Sequence, residues 1–373
     1  MTTPGGTMRR NELQDVLAAD GPFACAYFDS SHDTADAADR IRLQWRSVRE
    51  QLAEQGADES TLDAMARAVE EQEPPVGSAG RALVAAGGDL LVNEWLPSPP
   101  SQTVARWSDV PYLLPLLAAE DRPIPYVAVV ADRTEARIKA VDRRGVAVAA
   151  EDVSGEDYHV HKPRGGGWSH RRIQQYAEES VKRNAREMAE EADLLVQKVS
   201  ARLLAIGGEA QTRSALREEL SPRCAEIAVE LGAGPSEGQP SWDEYDTWLD
   251  DLVARTQAED RDDVVRRFRA AEGRDGDVAE GEAAAGLRQV TSALRDGRVA
   301  TLLLDPTELG DTTVLRGEDV LRVADGSDGL SEQNTVECRA DEALSAAAVA
   351  AGADVLVVDG AGLSGGAGAL LRY

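Results

Sequence analysis

The apolar residues Ile173, Ala177, Val181, Ala185, Met188, Ala192, Leu195, Val199 and Leu203 recur at spacings of three or four. Only a helix of 3.6 residues per turn lays such a series along one stripe, so one long amphipathic helix is expected from Ser169 onward, its charged residues turned to solvent. A helix of that length, about 45 Å at 1.5 Å per residue, needs a broad apolar surface to lie on. The flanking sequence supplies one. YVAVVAD, EARIKAVD and GVAVAA precede it as consecutive strand-like runs, the last two joined at Arg143, Arg144 and Gly145, and RLLAIGG follows it. With a helix around TRSALREEL and the segment CAEIAVEL, the alternation describes a sheet with helices packed on it.

Two Pro- and Gly-rich breaks bound this block. AEDRPIP favours extended chain, and GAGPSEGQPSWDEYD reads as a second linker. The expected domains are therefore 1–121, 124–232 and 242–373, and the fold class is mixed α/β. The first domain opens on an amphipathic segment (Leu13, Val16, Leu17). The strand FACAYF, a helical stretch from Ala35 to Val69, and the short runs ALVAAG, DLLVNEWL and TVARW follow. The third has a long charged helix from Trp242 to Ala271 and the acidic EGRDGDVAEGE, read as a flexible loop. A helix closed by Gly297 and a buried strand come next, and ADEALSAAAVAAGADVLVVDG repeats that order before a final strand, ALLRY.

Acidic residues outnumber basic ones 67 to 40, for a net charge of −27 over 373 residues. Such a balance favours solubility and excludes nucleic-acid binding through the overall field, so any RNA contact must be local. Cys25, Cys224 and Cys338 show no metal-ligand spacing, which implies a reducing cytoplasm and no structural metal. The first twenty residues turn polar where a signal peptide needs an apolar run, and YLLPLLAA is too short to cross a bilayer. His32, in DSSHDT after a strand, fits a turn held by side-chain hydrogen bonds. Gly360, Gly362 and Gly365 form a G-x-G-x-x-G after a strand, but too little chain remains for the helix a dinucleotide site requires, so they read as a turn. No P-loop, nucleophile elbow or metalloprotease motif is present, and no cofactor is expected.

One stretch departs from the acidic background. HVHKPRGGGWSHRRIQQ, residues 159–175, holds three of the four histidines, and no acid occurs between Asp157 and Glu178. Residues 131–200 contain thirteen basic and thirteen acidic side chains, so the whole charge deficit lies elsewhere. Gly165, Gly166 and Gly167 let backbone approach a ligand closely, and Ser169 is suited to cap the helix. Lys162, Arg164, Arg171 and Arg172 bring positive charge to a helix start whose amides already favour phosphate. Trp168 offers a face for base stacking. His170 can hydrogen-bond or act as a general base. The loop, about 151–168, is expected to be mobile in the free protein. These residues make an RNA-binding candidate; a solvated turn ahead of a helix is the alternative.

Together the strands YVAVVADRTEARIKAVD, the glycine-rich loop feeding the long helix, and the tail LRDGRVATLLLD…DEALSAAAVAAGADVLVVDGAG…GALLRY resemble the bacterial branch of the archaeal and eukaryotic peptide-chain release factor family. The resemblance is closest to actinobacterial members related to the ribosome hibernation factor Balon. It implies a three-domain architecture: an α/β middle domain whose loop enters the ribosomal peptidyl transferase centre, and a C-terminal domain similar to the L7Ae ribosomal protein. The N-terminal block shares only the general layout. In hydrolytic members a Gln follows the glycines at once or as Gly-x-x-Gln; here Trp168 and His170 stand at those places. The resemblance therefore implies a factor that occupies the acceptor site of idle ribosomes through rRNA contacts, with elongation factor Tu as a possible delivery partner and no membrane. A peptidyl-tRNA hydrolase or rescue factor using the same loop, with His170 as its catalytic group, is the alternative. A scaffold protein binding others through its acidic faces is the third reading.

Overall fold

The amphipathic opening segment forms α1 (Arg10–Ala18), which buries Leu13 and Val16. After it come β1 (Phe23–Asp29), α2 (Ala37–Glu54), α3 (Glu59–Glu71), β2 (Gly80–Ala86), β3 (Asp89–Leu96), β4 (Val104–Ser108) and α4 (Leu114–Ala119). The structure is a computed structural model that describes residues 10–372 apart from 33–35, 73, 76, 120–123, 132–134, 144–146, 155–168, 233–241, 274–280, 327–329 and 331–334. The expected single helical stretch up to Val69 is two helices. Gly56, at φ +101°, ends the first, and the Asp58 carboxylate starts the second by accepting the Thr61 N–H at 2.9 Å.

The four strands pair antiparallel in the order β3-β2-β1-β4. Ala24, Ala26, Phe28 and Leu83 meet Trp45, Val48, Leu52, Leu62 and Met65 of the two helices on one face. Cys25, Tyr27, Ala82 and Val84 point to the other, by the two-residue period of a strand. Coverage of both faces explains why FACAYF reads as a continuous apolar run rather than an alternating one.

The next strands are β5 (Tyr126–Ala131), β6 (Glu135–Val141) and β7 (Ala147–Ser154), followed by α5 (Ser169–Val199), β8 (Leu203–Gly208), α6 (Ala210–Glu219), α7 (Pro222–Glu226) and β9 (Ala228–Glu230). Their sheet has the order β7-β6-β5-β8-β9, with β5 antiparallel to β6 and parallel to β8. β7 continues through residues 151–154, where the loop was expected to begin, because β6 offers backbone partners as far as Glu135. α8 (Trp242–Glu272) covers the second face through Tyr245, Leu249 and Leu252. A β-carbon on Gly207 would lie 2.9 Å from the Tyr245 ring, so glycine on β8 is what lets the helix settle there.

The remaining elements are β10 (Ala283–Ala285), α9 (Gly286–Arg295), β11 (Val299–Leu304), α10 (Pro306–Leu309), β12 (Thr313–Arg316), β13 (Val323–Ala324), β14 (Val336–Arg339), α11 (Ala340–Ala350), β15 (Asp354–Val357) and β16 (Ala367–Leu371). β10-β16-β11-β15 form one sheet and β13-β12-β14 a small second one. Gly297 and Gly352, both left-handed, close α9 and α11 and turn the chain into β11 and β15, which pair in parallel. Phe268 and Ala271 of α8 cover one face of the larger sheet.

The other face shares its core with the first block. Leu13, Tyr27, Leu113 and Leu117 pack in one apolar cluster with Leu294, Leu302, Leu304, Leu344 and Ala347. The chain accordingly divides into two units, 1–120 together with 261–373, and 121–260. Among the described residues no helix is long and apolar enough to cross a membrane.

Candidate RNA-binding site

In the 121–260 unit the chain leaves the edge strand β7 at Ser154 and re-enters regular structure at Ser169. Lys162, Arg164, Gly165, Gly166, Gly167 and Trp168 lie outside the described residues, and so does most of the loop expected to be mobile. Ser169, His170, Arg171 and Arg172 form the first turn of α5, where backbone N–H groups have no partner within the helix. The side chains of this turn are likewise outside the described residues. Gln174 and Gln175 fall in the second turn.

The far half of the helix fixes it to the sheet. Ala189, Ala192, Leu195, Val196 and Val199 are buried against Val127, Val129, Ile138, Leu204 and Ile206. Alanine at 185, 189 and 192 keeps the backbone close to the strands. Farther along, the Asp193 carboxylate accepts hydrogen bonds from the Ser221 hydroxyl at 2.5 Å and the Cys224 thiol at 2.7 Å, pinning α5 to α7. Ser221 in turn accepts the Cys224 N–H and caps α7. This clamp was not foreseen; Ser221-Pro222, a capping residue before proline, was its one signal.

None of the three thiols suits nucleophilic chemistry. Burial pushes Cys224 up to about 11, with the Asp193 carboxylate adding to the effect. Burial likewise raises Cys25 to about 12 and Cys338 to about 11. All three are free cysteines. No group of His, Cys, Asp or Glu among the described residues could hold a metal ion.

The glycine motif near the C-terminus is a turn, as expected. Gly360, Gly362 and Gly365 all have positive φ, and the chain passes directly into β16. The Gly360 N–H donates to Asp305 at 2.8 Å, and the same carboxylate caps α10 through Thr307 and Glu308. The side-chain hydrogen bonds expected around His32 fall just before it, where Asp29 accepts from the Ser31 N–H and hydroxyl; His32 itself is not in a turn but forms an antiparallel backbone bridge with Gly77.

The glycine-rich basic sequence stands in the chain between the edge strand β7 and the helix α5, whose far half is anchored to the sheet. Residues 125–274 match the model of bacterial archaeo-eukaryotic release factor family 2. The Mycobacterium tuberculosis protein Rv2629 is 39% identical over 376 residues, covering 98% of this chain and 97% of that protein. The chain belongs to the bacterial archaeo-eukaryotic release factor family. Solved structures similar to it include archaeal Pelota, from a model of ribosome-bound Pelota and ABCE1. That chain is 14% identical with a TM-score of 0.39, over 99% of this chain and 95% of the other. Dom34 of Saccharomyces cerevisiae is 13% identical, with a TM-score of 0.37 over 99% and 92%.

Proposed function

We propose that this protein binds the ribosome and occupies the acceptor site of idle particles, with residues 159–172 directed at rRNA near the peptidyl transferase centre. The observation that carries the reading is the join at Ser169. There a segment free of acidic residues, in a chain of charge −27, runs into the first turn of a helix that begins Ser-His-Arg-Arg. Helix-start amides and two consecutive arginines favour phosphate, and the glycines allow backbone to approach it. Membership of a release factor family supports the ribosome as partner. A C-terminal block similar to L7Ae belongs to the same reading, as do a cytoplasmic location, a role in hibernation and delivery by elongation factor Tu.

Co-sedimentation with vacant 70S ribosomes tests it. The wild-type protein is expected to pellet with ribosomes. Arg171→Glu combined with Arg172→Glu should bind much more weakly and with a shallower salt dependence, since each lost phosphate contact removes released counterions. Unaltered binding by the folded double variant removes this surface from the reading, and absence of wild-type binding favours the scaffold role.

Hydrolysis of peptidyl-tRNA is the second reading, favoured by the Gly-x-x-His spacing from Gly167 to His170. Against it stands the position of His170 in the first turn of α5, where its backbone is committed to the helix and not free at a loop tip.

A further inference from the structure

Arg106 on β4 joins segments 235 residues apart in sequence. Its Nη1 donates to Asp341 Oδ2 and to Glu342 Oε1, both at 3.0 Å, and its Nη2 donates to the same Asp341 oxygen at 3.0 Å. The guanidinium stacks on the Tyr112 ring, 3.6 Å from its centroid. Asp341 and Glu342 open α11, with side chains only 6% and 3% exposed. Arg339 also holds Asp341, from the strand just before the helix. Glu342 differs: its side-chain hydrogen bonds come from Arg106 and Ser108, both on β4. Were the C-terminal block folded alone, this carboxylate would lose both partners. The block therefore depends on β4 for the hydrogen bonds of this carboxylate. The apolar contacts run the same way. Leu13 and Val16 of α1 and Leu113 and Leu117 beside Tyr112 share one core with Leu344, Ala347 and Leu302. α4 packs against β15, the outer strand of the larger C-terminal sheet.

We infer that residues 10–119 and 281–372 are one cooperative body closed by Arg106, and that neither block acts as an independent domain. The inference stands apart from the ribosome reading. Its consequence is mechanical: rearrangement that separates the first block from the last is excluded.

Amide hydrogen exchange read by mass spectrometry on the full chain tests this. In Arg106→Ala, protection in β1 and in α11 should fall together, by about 100-fold, while β5 and β8 keep wild-type protection. Glu342→Gln should move the same two elements by a smaller factor, because the amide oxygen can still accept from Arg106. Loss confined to α11 with β1 unchanged, or the reverse, overturns the inference. Should Arg106→Ala fail to fold, the wild type in rising urea decides: β1 and α11 losing protection at one concentration supports a single body, and separate concentrations refute it.

Discussion

Gly232 lies so close beneath the Trp248 indole that a β-carbon built on it would fall 2.0 Å from the ring. Its φ of +64° is also one that L side chains rarely adopt. The two residues sit where the chain leaves β9 and where α8 covers the sheet, and Trp248 stacks edge-on with Tyr245 at 5.4 Å. Gly232→Ala is therefore expected to destabilise the 121–260 unit by about 2–5 kcal/mol, the sum of overpacking and left-handed strain. Adding Trp248→Leu should recover the steric part only. Thermal unfolding of wild type, Gly232→Ala and the double variant measures both.

Asp58 provides a pH-dependent prediction. Hydrogen bonds from the Ser60 hydroxyl, then from the Thr61 hydroxyl and N–H, lower its carboxyl to about 2. A carboxylate depressed in the folded state stabilises above its unfolded value, near 3.9, and that stability is lost as pH falls through the folded value. Asp58→Ala should cost about 0.5–2 kcal/mol at neutral pH through the lost cap of α3. The difference from wild type should shrink between about pH 4 and pH 2. Asp58→Asn, which retains an acceptor, should cost only a fraction of this at neutral pH. Urea unfolding across that pH range supplies the comparison.

The thiols should be inert in the native protein. Burial raises Cys25, Cys224 and Cys338 to about 12, 11 and 11. At pH 8 their thiolate fraction is then about 100-fold or more below that of a free cysteine near 8.5. Ellman's reagent is expected to titrate no thiol rapidly in buffer and three in denaturant. A fast-reacting native thiol would show that one of these side chains is more accessible than its packing implies.

What the sequence made legible is mostly local. The periodicity read from Ile173 to Leu203 marks α5 as far as Val199, Leu203 itself opening β8, and the charged run from Trp242 marks α8. Gly297 and Gly352 mark two helix ends because left-handed backbone selects glycine. The shared core of Leu13, Tyr27 and Leu344 was not legible, since an apolar pattern says that a side chain is buried but not against what. Arg106 was hidden for the same reason. An arginine among strand residues reads as solvated until Glu342 is found beside it. The composition of the candidate site, basic and glycine-rich, was plain in the chain. The extension of β7 to Ser154 was not, because Glu151 and Asp152 are polar and only the partner strand explains their pairing.

The last prediction asks whether the protein is an enzyme, and turns on His170. The hydrolytic members that this chain resembles place a glutamine amide after their glycines, on a loop free to reach the ester. His170 instead lies in the first turn of α5, on a helix whose far half is clamped by Asp193 to Ser221 and Cys224. General-base catalysis is typically worth about 10²–10⁴-fold, so hydrolysis routed through this imidazole should collapse in His170→Ala. The expected result is that the wild type releases no peptide from ribosome-bound peptidyl-tRNA above background, and that His170→Ala binds ribosomes almost as tightly as wild type. His170→Gln, which restores Gly-x-x-Gln from Gly167, is the variant expected to gain activity if the loop reaches the ester at all. Peptide release by the wild type that vanishes in His170→Ala would transfer the assignment from an occupant of idle ribosomes to a hydrolase.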